Sequence, residues 1–283
     1  VQAASFVLPA LLLLAAGLLY PAATTIVQSF KNAGGDAFVG IDNYQTIFTS
    51  PEQLTVLRNT VLWVVLVPLF ATVFGLVYAV LVDRSRFESL AKGLLFLPMA
   101  ISMVGASIIW KFVYDYRPAT RPQIGLANEI LVKLGLDTYQ FLLTSPWNNL
   151  FLIVVLIWIQ AGFAMIVLSA ALKSIPDDVV EAARLDGVNG LQMFRFVTIP
   201  SIRPAIVVVV TTISIATLKV FDIVRTMTNG NFDTSVIANE MYTQAFRFRE
   251  PGRGAALALL LFVLVIPLVL YQIRVLRQRE ETR

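Results

Sequence analysis

The 283 residues include no cysteine and no histidine, and only 14% of them are charged. Without Cys or His there can be no disulfide, cysteine nucleophile or Ser-His-Asp relay, and no thiolate or imidazole ligand for zinc or haem. The chain also has no Gly-x-x-x-x-Gly-Lys-Ser/Thr stretch, so it lacks a phosphate-binding loop for hydrolysing ATP itself. In place of charge it has 57% hydrophobic residues and a mean hydropathy of +0.76. An ordinary soluble domain is about 45–50% apolar and about 25% charged. The bilayer is therefore the solvent in which this chain is to be read. The net charge of +4 is then an orientation signal beside membrane spans rather than a sign of nucleic-acid binding.

A span needs about 20 apolar residues. Residues 1–30 and 59–82 contain no Lys, Arg, Asp or Glu, and residues 93–110 form an uncharged stretch between Lys92 and Lys111. Residues 138–172 are also uncharged. Within them Ser145-Pro146-Trp147 supplies an N-cap, a first-turn proline and an interface aromatic, so the fourth span starts near Pro146. A fifth span opens at Pro204 and must tolerate Lys219 and Asp222, and residues 254–273 make a sixth. The expectation is one all-α polytopic membrane domain over 1–283, with spans at about 5–30, 59–82, 93–110, 146–172, 204–227 and 254–273. The first segment has no charged region ahead of it and is read as a retained span, not a cleaved signal. Residues 83–92, 173–203 and 274–283 hold 11 Lys and Arg in 51 residues, and the longer remaining connections hold the other 11. The denser set marks the cytoplasmic side, which puts both termini and the 173–203 loop there. Between the third and fourth spans, Leu126, Ile130, Leu131 and Leu134 predict a short amphipathic helix ending at Gly135.

The 173–203 loop carries the most information. Pro176, the acids Asp177 and Asp178, and Gly187 just past Leu185 mark a short helix with its own start and stop signals. A second short segment offers Met193, Phe194, Phe196 and Val197 before Ile199-Pro200, and so much apolar side chain on a loop asks for a partner. Glu181-Ala182-Ala183, Gly187 and Val197-Thr198-Ile199-Pro200 stand at a fixed spacing. That pattern resembles the signature of the permease subunits of binding-protein-dependent ABC importers. From average residue usage, such a match arises by chance on the order of 10⁻⁷ per start position. Asn59-Thr60, Phe96-Leu97-Pro98, Trp158 and Thr228-Asn229-Gly230 look like features of the carbohydrate-importing, maltose-transporter-like branch, first-permease type. Where that branch usually carries Gly-Gly-Pro, this chain has Gly230-Asn231-Phe232. Tyr114-Asp115-Tyr116-Arg117-Pro118 is similar to the α-glucoside permeases.

The resemblance implies a coupling helix after Pro176, in which Asp177, Asp178, Glu181, Ala182, Ala183, Asp186 and Gly187 meet a cytoplasmic ATPase. It implies two copies of that ATPase holding ATP and Mg, a second permease subunit and an extracytoplasmic sugar-binding protein. This chain would be a non-enzymatic, multi-pass subunit of a bacterial inner membrane with no cofactor of its own. An ungapped carry-over places the sugar path at Met99 and Met103, at Gln160 and Phe163, and at Ile213, Thr217 and Val220. Several of these places hold other residues where the family has tyrosine or asparagine. Gln160 and Phe163 also suggest a path on their own, as a neutral hydrogen-bonding group and an aromatic face one turn apart. Interhelical packing is the alternative for each polar residue. Lys219 and Asp222, three apart, either pair with each other or snorkel, or they contact cargo. The expected function is import of a sugar, a disaccharide or α-glucoside. The rivals are another cargo on the same machine (polyol, glycerol phosphodiester or amino acid) and an ATP-independent transporter.

Overall fold

The computed structural model describes the backbone of residues 2–83, 85–118 and 120–280, with side chains described over 7–275 of these. Arg84 and Arg283, two of the cations used for the orientation reading, lie outside the described residues. The regular structure is helical, with one isolated antiparallel bridge, Lys31 to Phe38, among the described residues. In order, the helices are α1 (Val7–Gln28), α2 (Asp42–Thr49), α3 (Pro51–Val82), α4 (Glu88–Ala100), α5 (Met103–Val113) and α6 (Leu126–Lys133). They continue as α7 (Trp147–Lys173), α8 (Asp177–Leu185), α9 (Gly190–Leu218), α10 (Asp222–Met227), α11 (Ile237–Tyr242) and α12 (Pro251–Glu280). Five of these helices are long and apolar enough to cross a membrane, and there are up to six crossings if the bent pair α4–α5 counts as one.

Five boundaries or caps differ from the hydropathy reading. Helix α3 starts at Pro51 and not near 59, because the Ser50 hydroxyl accepts from the Gln53 amide as an N-cap and Pro51 fits the first turn. Its extra turns carry Glu52 and Arg58, which hydropathy had excluded. The span expected at 93–110 is two helices bent by 100°. Pro98 sits in the last turn of α4, Ile101 is extended, and Ser102 caps the new helix by accepting from the Gly105 amide. The fourth span begins at Trp147, with Pro146 one residue outside it and no side-chain cap. The fifth begins at Gly190, where Asn189 and Gln192 form a reciprocal capping box, so the second loop segment is the first part of the span itself. A wide turn over Met193–Thr198 precedes Pro200 and Pro204, and the helix stops at Leu218 rather than 227.

Helix α7 is apolar all round and occupies the centre, against α3 on one side and α4 and α9 on others. Trp63, Leu152, Leu156, Met165, Leu168 and Ile213 form its buried core. Lipid is as apolar as leucine, so close packing rather than burial from water must hold such helices together. The crossings are correspondingly tight. A Cβ on Gly75 would lie 2.4 Å from the Ala164 Cβ, and one on Gly162 would lie 2.5 Å from the Leu95 carbonyl oxygen. In contrast, no residue of α1 is buried.

Candidate functional site

Two regions carry the groups singled out by sequence. The first is α8. Pro176 is extended, Asp177 and Asp178 occupy the first turn, and Arg184 the last, so charge complements the helix dipole at both ends. Gly187 ends it at φ +79°, a left-handed position, with nothing within 4 Å of where a Cβ would sit. No residue of α8 is buried, and Leu185 is 89% exposed. Asp177, Asp178, Glu181, Ala182, Asp186 and Gly187 are exposed, and Ala183 is half-buried. Beyond the helix, Leu191 and Phe196 are exposed as well. The face is acidic and apolar at once, and among the described residues its four carboxylates have no ion-pair partner.

Its root is tied down by charge. Lys173, the last residue of α7, pairs with Glu88 at the start of α4. Lys92 Nζ lies 2.8 Å from Glu88 Oε1 and 2.6 Å from Asp83 Oδ1, just past α3. Ser169 donates to Asp83 at 2.8 Å and accepts from Lys92. One cluster therefore joins the ends of α3, α4 and α7 three residues before Pro176.

The second region is a cavity of about 70 Å³ between α5, α7, α9 and the break after α9. Met103, Gln160, Lys219 and Val220 converge on it, and Leu156 and Phe221 to Ile223 complete much of its wall. Four other sequence candidates do not reach it, and of these Ile213 is fully buried in the core. Met99 is on α4, across the 100° bend, and is exposed. Phe163 is half-buried and packs against the core. Thr217 is fully buried, and its hydroxyl donates to the Ile213 carbonyl at 2.7 Å, so it serves packing. Lys219 and Asp222 form no ion pair. The helix ends between them: Lys219 is the C-cap residue and Asp222 opens α10, so they are not one helical turn apart. Phe221 and Asp222 entered the wall through this break, which an uninterrupted helix reading of 204–227 hid.

The sequence features Asn59-Thr60 and Thr228-Asn229-Gly230 meet in a single joint at the end opposite α8. Asn59 Nδ2 donates to the carbonyls of Asp233 (2.6 Å) and Ser235 (2.9 Å), and Thr60 Oγ1 accepts from the Ile237 amide at 3.0 Å. Asn148 Nδ2 donates to the Phe232 carbonyl at 2.7 Å, and the hydroxyls of Thr228 and Thr234 lie 2.6 Å apart. Asn229, Phe232 and Asp233 all have φ near +60°, strain that these side-chain clamps hold in place. Helices α3 and α7 thus fix the segment that joins α10 to α11.

Residues 44–279 match the binding-protein-dependent transport system inner membrane component family. Among curated proteins, the chain is 48% identical to the osmoprotective compounds uptake permease protein GgtC of Synechocystis, over 98% of this chain and 100% of that one. It is also 48% identical to the alpha-glucoside transport system permease protein AglF of Rhizobium meliloti, over 95% and 80% respectively. Among solved structures, it superposes with TM-score 0.80 and 25% identity on a chain of a bacterial ABC transporter involved in import of the acidic polysaccharide alginate, covering 97% of this chain and 94% of that one. A family match spanning both α8 and the cavity, with the 48% identities beside it, leaves one conclusion: the chain belongs to the family of inner membrane components of binding-protein-dependent transport systems.

Proposed function

We propose that the chain is one of two permease subunits of an ATP-driven importer for a neutral sugar of the α-glucoside or disaccharide class. In this reading α8 faces the cytosol with both termini and docks on one of two ATPase subunits, which hold ATP and Mg. The observation that carries it is the state of α8: a helix with acids in its first turn and a left-handed glycine at its end, an acidic and apolar face, and no buried residue, anchored at its root to three spans. Asp177, Asp178, Glu181 and Asp186 would meet basic groups of the ATPase. Ala182, Ala183 and Gly187 would allow close approach. Closure of the ATPase pair then pulls α8 inward, and the Asp83–Glu88–Lys92–Lys173 cluster passes that movement to α3, α4 and α7. Sugar released by an extracytoplasmic binding protein would enter beside Gln160, Lys219 and Asp222, with the second permease supplying the facing wall.

The relative named for alpha-glucoside transport supports the sugar class. A second reading, a compact osmoprotective solute, is favoured by the equal identity to the permease named for osmoprotective compounds. Both are tested by co-expressing the chain with its permease and ATPase partners and reconstituting the assembly in proteoliposomes. ATPase is then measured with a binding protein loaded in turn with α-glucosides, polyols and amino acids. Stimulation confined to α-glucosides supports the first reading, and stimulation by polyols or amino acids alone replaces its cargo. Uptake that survives deletion of residues 177–185 would remove the coupling assignment.

A further inference from the structure

We infer that Phe221, Tyr242 and Phe246 form an aromatic ladder that guides pyranose rings from the outer mouth into the cavity beside Gln160. The inference rests on the sugar reading above. A cavity of about 70 Å³ is one wall of a site and not a site, since ligand pockets run to about 300–1,000 Å³. Cargo contacts must therefore continue onto an adjoining surface. Phe221 lines the cavity, its ring lies 5.2 Å from that of Tyr242, and Tyr242 lies 5.1 Å from Phe246. The rings are tilted by 51° and 38°, and exposure rises outward: Tyr242 is 37% exposed and Phe246 71%.

The ladder points the right way. Glu240, in α11 with Tyr242, accepts from Gln53 in the first turns of α3, which is the end opposite α8. A row of rings running from that end to the cavity matches the direction in which an importer takes cargo. The C–H faces of a pyranose pack on π-faces without demanding a fixed rotation, so successive rungs can hand a ring along.

A cation holds the middle rung. The Arg225 guanidinium carbon stands 4.7 Å from the Tyr242 ring centroid, and its Nη1 is buried with no hydrogen-bond partner among the described residues. Stacking of the cation fixes the orientation of the Tyr242 ring. Asp222 at the foot of the ladder supplies an acceptor. A row of side chains that merely faced lipid would have no use for a guanidinium among them.

The test uses the full assembly in proteoliposomes with an α-glucoside-loaded binding protein. Tyr242→Ala and Phe246→Ala should each lower uptake about tenfold at unchanged assembly and unchanged basal ATPase, and Tyr242→Phe should keep uptake within about twofold. Tyr242→Leu keeps apolar bulk and loses the π-face, so it should behave like Tyr242→Ala. Full uptake by Tyr242→Leu, or by Phe246→Ala, would overturn the ladder and leave these rings as apolar contacts of a partner. Should Tyr242→Ala fail to assemble, Phe246→Ala decides alone, because a side chain so exposed adds little to the fold. A wild-type assembly that no sugar stimulates would instead refute the cargo reading.

Discussion

Replacing Lys92 with Met removes the central cation from the cluster beside α8 while keeping an apolar stem of similar length. Lys92 holds Asp83 at 2.6 Å and Glu88 at 2.8 Å. After the change, Glu88 keeps Lys173. Asp83 keeps the Ser169 hydroxyl, but its nearest remaining described cation is Lys173 at 4.0 Å. An exposed ion pair is worth about 0–1 kcal/mol, whereas breaking a buried one costs about 3–5 kcal/mol. The side chains of Asp83 and Lys92 are 14% and 23% exposed, so the site lies between these limits. With Lys173 compensating in part, the expected cost is about 1–3 kcal/mol. A double-mutant cycle with Asp83→Asn, read by unfolding of the detergent-solubilised assembly in mixed micelles, isolates the pair. Coupling below about 0.3 kcal/mol would refute the argument, since unconnected sites add within that margin. The functional expectation follows from position. Loosening the root of α8 should leave ATP turnover intact and lower the amount of cargo moved per ATP.

Other substitutions probe separate parts of the argument. Asn59→Ala orphans the buried carbonyl of Ser235 and the partly buried one of Asp233, at a cost of about 1–3 kcal/mol, and should speed hydrogen exchange through residues 228–237; unchanged exchange would remove the clamp. Gly162→Val forces a side chain onto the Leu95 carbonyl, where even a Cβ would sit at 2.5 Å. It should cost more than the about 1–3 kcal/mol of ordinary overpacking and be seen as loss of monodisperse assembly on size exclusion. Gly187→Asn tolerates the left-handed backbone, while Gly187→Asp adds charge where this chain itself leaves open space. If α8 docks in a partner groove that approaches Gly187 closely, either side chain should lower uptake, and full uptake by both would argue against a partner there. Gln160→Ala should change cargo uptake with assembly intact, as measured by transport beside co-purification.

What could be read along the chain was what local chemistry decides. Hydrocarbon excludes charge, so uncharged runs at 59–82 and 254–273 mark helices without any knowledge of their neighbours. The same rule misplaces their ends, because Glu52 and Arg58 sit in α3 beyond the apolar run. It also misses the bend at Ile101–Ser102, since both arms are equally apolar; the signal was in Pro98 and the Ser102 cap. Helix α8 was legible residue by residue for a physical reason. A helix that buries nothing must be specified by its own dipole charges and its terminal glycine, and those are neighbours in sequence. The cavity is the opposite case. Gln160 and Lys219 meet across 59 positions and Asn59 reaches Asp233 across 174, so no spacing rule connects them. The break after Leu218, hidden by an uninterrupted helix reading, is what turns Phe221 and Asp222 toward the cavity. The division is physical: a helix that buries nothing has to stand alone, and is therefore written locally. A passage between helices exists only once α5, α7 and α9 have packed.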